Sequence, residues 1–192
     1  MPKQRITKEM VIDAAFELAR EGGIEQVLVK NIAEKLGCSV QPIYSYCSNM
    51  DGLKRDLQER TGMFFREYVA AHVNPKQFFY STGMAYLHLA KEEPHLYALY
   101  FMQKRFNSDV STVEELYAKE CNPMIAERLS QELGISVAAA KKLHFHMVVY
   151  NAGVASMMIA SNFRIEIEQM QAQLEMAYQA FLAQARCEEE NE

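Results

Sequence analysis

Val29-Lys30-Asn31-Ile32-Ala33-Glu34-Lys35-Leu36-Gly37-Cys38-Ser39-Val40-Gln41-Pro42-Ile43-Tyr44-Ser45-Tyr46 is the stretch that decides the fold. Ala33, Gly37 and Ile43 stand at positions 5, 9 and 15 of a window opening at Val29, the spacing of a helix-turn-helix. Each has a mechanical task. Ala33 must be small because the following helix crosses close to it, Gly37 supplies a left-handed turn, and Ile43 pins the second helix to the core. Ser39 can cap that second helix. Pro42 falls at its third position, where the backbone N–H has no intrahelical partner and a proline removes nothing.

With Ile43 and Cys47 turned inward, Val40, Gln41, Pro42 and Ser45 are left on the outer side of the second helix, beside the capping Ser39. Gln41 can pair bidentately with an adenine edge, and Val40 and Pro42 can touch thymine methyl groups. Tyr44 and Tyr46 can donate to phosphates from the flanks.

Upstream, Thr7 can cap a helix carrying Val11, Ala14, Ala15, Leu18 and Ala19 at helical spacing, with Glu9 in its first turn, and Gly22-Gly23 ends it. Downstream, Leu53, Leu57, Phe64, Phe65 and Tyr68 predict a long helix from about Asp51 to His72. Pro75, Pro94 and Pro123 mark starts or breaks of further helices. Two long helical segments, about 137 to 161 and 166 to 186, precede the acidic run 188 to 190, which reads as a solvated tail. Nothing in the chain alternates like a strand.

At 192 residues and 49% hydrophobic content the chain can bury a sizeable core. It has no Pro- or Ser-rich linker and no fixed-period repeat. No run of about 18 apolar residues and no apolar core of a signal peptide is present, so the expected location is cytoplasmic, with no membrane partner. The four cysteines, Cys38, Cys47, Cys121 and Cys187, lack C-x-x-C spacing and read as free thiols, with no metal site. The net charge of −5 argues against a protein that coats nucleic acid. It is unevenly spread, however: residues 1 to 55 hold eight Lys or Arg against seven acids, whereas the rest hold twelve against eighteen. DNA contact must therefore use a local patch.

The run from Gly23 to Tyr46, with the Ala14-Ala15 helix before it and Leu53 after it, resembles the DNA-binding domain of TetR/AcrR-type regulators over about residues 7 to 55. The resemblance implies an all-helical homodimer of about nine helices. A three-helix helix-turn-helix domain (residues 1–50) would precede a ligand-binding and dimerisation bundle (residues 51–192), and a small-molecule inducer, of unspecified chemistry, would release a repressor from its DNA operator. By position it carries phosphate contacts to Lys30, Tyr44 and Tyr46, and base reading to Gln41 and Pro42. Two departures stand out. Cys47 replaces an aromatic after the tyrosine pair, and Met50 replaces a lysine near the start of the fourth helix; Lys54 or Arg55, a turn further on, could supply the missing charge. Dimer symmetry predicts a roughly palindromic operator.

In the body, Val149, Gly153, Ser156 and Ala160 recur with His146 at alternating three- and four-residue steps and are mostly small; Met170, Leu174 and Phe181 follow the same rhythm with Ile167 and Ala177. These stripes could form a four-helix interface between subunits, or face the subunit's own core. The Met-, Phe- and Tyr-rich middle suits either a ligand cavity or plain core, with Phe64, Tyr86, Tyr97, Tyr100, Tyr117 and Met147 as candidate lining residues.

Catalysis has little support. His144 and His146, two apart on a helix, point about 200° from each other and cannot share a metal. His88 and His95 complete no H-E-x-x-H, and no Walker or nucleophile-elbow pattern appears. No cofactor is implied. A helical protein-binding adaptor and a ligand-independent DNA-binding regulator are the remaining alternatives.

Overall fold

The structure, a computed structural model, describes residues 6–46, 50–103, 109–160 and 166–189. Among them are ten α-helices and no strand, against about nine helices expected from the sequence: α1 (Lys8–Gly22), α2 (Val29–Lys35), α3 (Val40–Tyr46), α4 (Met50–His72), α5 (Phe78–Glu92), α6 (Pro94–Tyr97), α7 (Val113–Glu120), α8 (Pro123–Leu133), α9 (Val137–Ala160) and α10 (Ile167–Glu189). They form two compact units. The first comprises Met1–Ala71 with Glu92–Gln103, and the second His72–Lys91 with Lys104–Glu192.

In the first unit, Thr7 caps α1 by accepting from the Met10 amide at 3.3 Å, and Gly23 at φ 83° ends it. Between these stops the apolar stripe Val11, Ala14, Ala15, Phe16 and Ala19 is buried. α1 packs against α2, α3 and α6. Arg20 of α1 grips Glu93 just before α6 with two donors on one carboxylate, its Nε lying 2.9 Å from Oε2. Along α4, Leu53, Leu57 and Phe65 are buried, and the Thr61 hydroxyl donates to the Leu57 carbonyl at 2.8 Å, so this core hydroxyl is satisfied within its own helix. After α6 the chain widens into a π-turn over Ala98–Met102. Its Tyr100 ring lies so close to Gly62 of α4 that a Cβ there would come within 2.9 Å of it.

In the second unit, Pro123 opens α8 behind the Asn122 cap, and Gly134, at φ 65°, closes it. A reciprocal capping box between Thr112 and Glu115 starts α7. α9 packs against both α8 and α10. Its buried face carries Ala140, Leu143, His144, Met147, Asn151 and Ala155. α9 is long and apolar enough to cross a membrane by length and composition, the one such helix among the described residues. Cys38, Cys121 and Cys187 are free thiols, and burial pushes that of Cys121 up to about 11; Cys47 lies outside the described residues. The acidic end of the chain begins inside the last helix, and residue 190 lies outside the described residues. α10 continues to Glu189, and Glu188 pairs with Lys142 of α9 at 2.7 Å because the helix carries it alongside that lysine.

Candidate nucleic-acid interface

The turn between α2 and α3 is built as the sequence requires. Gly37 adopts φ 63°, its amide donates to the Glu34 carbonyl at 3.1 Å, and the Cys38 amide donates to the Ala33 carbonyl at 2.9 Å. These two bonds satisfy carbonyls that the helix end would leave open. Ala33 is buried in the angle between the helices, and Ile43 is fully buried, which fixes the rotation of α3 about its axis.

That rotation decides which side chains are presented. Ser39, Val40, Gln41, Tyr44 and Ser45 are exposed, with Tyr44 at 61%, and Pro42 is half-buried. One contiguous outer face of a short helix thus holds an amide side chain, two hydroxyls and apolar Val40 and Pro42, the inventory needed to touch base edges in a major groove. Lys30 on α2 and Lys54 and Arg55 on α4 are exposed too. Elsewhere in this unit Lys35 pairs with Glu21 at 2.9 Å and Lys8 with Asp56 at 2.8 Å.

Two side chains have roles the sequence did not suggest. The Ser45 hydroxyl donates back to the Gln41 carbonyl at 3.2 Å. The Tyr46 hydroxyl, expected to donate to phosphate, donates instead to the Ile6 carbonyl at 2.7 Å, because the end of α3 lies beside the segment entering α1. Asn31 also went unnoticed; its amide donates to the Gln26 carbonyl at 2.9 Å and ties the first turn of α2 to the preceding loop. An asparagine inside a helix's first turn was the available signal.

The candidate pocket residues divide between the units. Phe64, Tyr97 and Tyr100 belong to the first, where Phe65 collects Tyr100 at 5.2 Å and Phe101 at 5.7 Å, and where Tyr97 is buried. Tyr86, Tyr117 and Met147 belong to the second. There the Tyr117 hydroxyl meets His144 Nδ1 at 3.2 Å and Met147 is buried one turn along α9. Burial alone drives His144 down to about 4, so its ring is neutral at physiological pH.

The interface stripes fare unequally. Val149 (52% exposed), Gly153 and Ala160 lie on the open face of α9, with Ser156 half-buried beside them. On α10 the structure corrects the expectation: Leu174 is only 3% exposed and, with Ile167 and Ala177, faces its own unit, and Phe181 packs on His146 at 5.0 Å. Met170 is half-buried on that same side. The open face of α10 carries Ala172, Met176, Ala180 and Ala183 instead.

Short second and third helices that meet at a glycine turn, with a polar outer face over a buried isoleucine, form a helix-turn-helix, the architecture of DNA-binding heads. Residues 11–57 match the family model described as "Bacterial regulatory proteins, tetR family". The whole chain shares its fold with solved regulators. A TetR-like transcriptional regulator from Rhodococcus sp. RHA1 is 18% identical, with 95% of this chain and 99% of that one covered at a TM-score of 0.65. A tetR-family transcriptional regulator from Streptomyces coelicolor is 15% identical, with 96% and 83% covered at a TM-score of 0.71. A further transcriptional regulator from Rhodococcus sp. is 16% identical, with 93% and 97% covered at 0.59. A comparison with curated protein sequences gives no match. The N-terminal segment thus matches the DNA-binding model of the tetR family, and the chain as a whole shares the fold of these regulators.

Proposed function

We propose that the chain acts in the cytoplasm as a homodimeric repressor, bound to a roughly palindromic operator and released by a small-molecule inducer, rather than as an enzyme. Residues 1–50 read the DNA, and residues 51–192 dimerise and hold the inducer. The observation that carries the reading is the outer face of α3, where Gln41, Val40 and Tyr44 stand exposed over fully buried Ile43. Gln41 and Pro42 contact base edges, Tyr44 and Lys30 contact phosphates, and Lys54 or Arg55 supplies the charge absent at Met50. Support for a dimer comes from the open faces of α9 and α10, whose small and apolar residues, Val149, Gly153, Met157 and Met176 among them, let two helix pairs approach closely.

The test is selection of bound sequences from a random duplex library, repeated at higher salt. A recovered palindrome with half-sites about one helical turn apart is expected. No enrichment at either salt would favour a protein-binding adaptor, and a recovered site that no compound releases would favour ligand-independent regulation.

A further inference from the structure

We propose that Glu93 is a positioning residue for DNA reading: through Arg20 it holds α1, and with it α2 and α3, at a fixed angle on α4 and α6. The inference rests on the operator-binding reading above and adds to it a residue 73 positions from its arginine partner.

Two arginines brace α1 and α4 reciprocally. Arg60 of α4 sits over the Phe16 ring of α1, 4.5 Å from its centroid, and its Nε lies 3.1 Å from Asp13 Oδ1. Arg20 of α1 sits over the Phe64 ring of α4, 5.5 Å from its centroid. The two rings meet edge-on, their centroids 5.5 Å apart at 64°. Arg20 then reaches Glu93, with Nε 3.0 Å from Oε1 and 2.9 Å from Oε2, and the side chain of that glutamate is only 11% exposed. Its neighbour Glu92 accepts from the Tyr68 hydroxyl of α4 at 2.8 Å. Adjacent carboxylates thus fasten the entry of α6 to α1 and to α4. His95 abuts the exit of α1 as well, since a Cβ on Gly23 would lie 3.5 Å from its Nδ1.

The buried stripe of α1 is rich in alanine, with Ala14, Ala15 and Ala19 beside Val11 and Phe16. Small side chains interlock weakly, so this stripe leaves the angle of α1 poorly defined, and a planar guanidinium gripped by one carboxylate and laid on a ring defines it. An ion pair with an exposed partner adds little to stability. Its consequence is directional: α2 and α3 pack on α1, so a tilt of α1 is carried to Gln41 and Tyr44, whose contacts tolerate small displacements only. The sign of one substitution separates this role from simple electrostatics. Glu93→Gln removes a negative charge from a protein that binds a polyanion, so the field alone would tighten binding. Loss of the brace weakens it.

The test is titration of the full-length protein with the duplex that the wild type selects, at a temperature where every variant is folded. Glu93→Gln should weaken that duplex about fivefold, with the thermal melt and the selected sequence unchanged. Arg20→Glu should weaken it about tenfold or more, and the exchange Arg20→Glu with Glu93→Arg, which keeps the net charge of the wild type, should restore affinity to within about threefold. Should the exchanged protein fold poorly, the sign of the Glu93→Gln change decides alone. Wild-type or tighter binding by Glu93→Gln, or a folded exchange variant as weak as Arg20→Glu, overturns the proposal and leaves the operator reading intact. A wild-type protein that selects no duplex overturns both.

Discussion

The Tyr46 hydroxyl, at the last residue of α3, donates to the carbonyl of Ile6 at 2.7 Å and so ties the recognition helix to the segment that enters α1. The two residues are 40 positions apart, and Ile6 is itself buried. The bond therefore helps set the angle of α3 rather than extending its reach. Tyr46→Phe keeps the ring and removes the donor. It should lower stability by about 1 kcal/mol in urea denaturation, with DNA affinity falling evenly over all sequences. Loss of DNA affinity with an unchanged urea midpoint would instead make Tyr46 a phosphate contact.

Gln41 and Lys30 separate specificity from affinity. Both are exposed, one on α3 and one on α2. Gln41→Ala should relax preference at one base position, at a cost of about 1–3 kcal/mol for the cognate base. Lys30→Ala should weaken all duplexes alike and reduce the slope of log K against log salt by about 1. Tyr44→Phe should weaken binding with the selected sequence unchanged. Quantitative binding at three salt concentrations distinguishes them, and wild-type behaviour of both Gln41→Ala and Tyr44→Phe would refute this assignment of the reading face.

Ala33 sets the distance between α2 and α3. It is buried beneath the turn whose Cys38 amide bonds its own carbonyl, so a larger side chain has no direction in which to expand. Ala33→Leu should cost about 1–3 kcal/mol by overpacking and abolish operator binding. A chemical melt and a DNA titration together check both parts.

Stability should respond to pH through His144. Its folded value, about 4, lies below the ordinary 6.5, since burial disfavours the charged ring. The fold therefore favours the neutral form. That contribution is complete above about pH 6.5, is lost as pH falls through the window from 6.5 to 4, and does not change further below it. The loss is on the order of 2–3 kcal/mol. His144→Gln, which cannot titrate there, should be less stable at neutral pH yet show a flatter profile across that window. A wild-type slope in the variant would assign the pH dependence to other groups.

What could be read in the sequence was local. Thr7, Gly23, Gly37, Pro94 and Pro123 act within one turn of their own position, so both ends of α1, the end of α2 and the starts of α6 and α8 were visible before any packing was known. The outer face of α3 was legible for the same reason, because a single buried Ile43 fixes the helix's rotation. The bond from Tyr46 to Ile6 was not legible because its partner is remote in sequence. α10 was misread because it has two apolar stripes, and period alone says nothing about which one a neighbour covers. Ile167, Leu174 and Ala177 prove to be covered by their own chain, and Ala172, Met176 and Ala180 are the open set.

That distinction yields a paired prediction. Val149 is 52% exposed on α9, whereas Leu174 is 3% exposed on α10 and would lie 3.6 Å from a Cβ placed on Gly83 of α5. An aspartate at 149 is solvated in a free subunit but becomes a buried, unpaired charge, facing its symmetry mate, if two copies pack through this face. Val149→Asp should therefore shift the protein from dimer to folded monomer in sedimentation, with a helical spectrum like that of wild type. Leu174→Asp places the charge in the subunit's own core and should unfold it at a cost of several kcal/mol, whatever its oligomeric state. A dimeric Val149→Asp would move the subunit interface off this face of α9, and a stably folded Leu174→Asp would show that α10 packs the other way round.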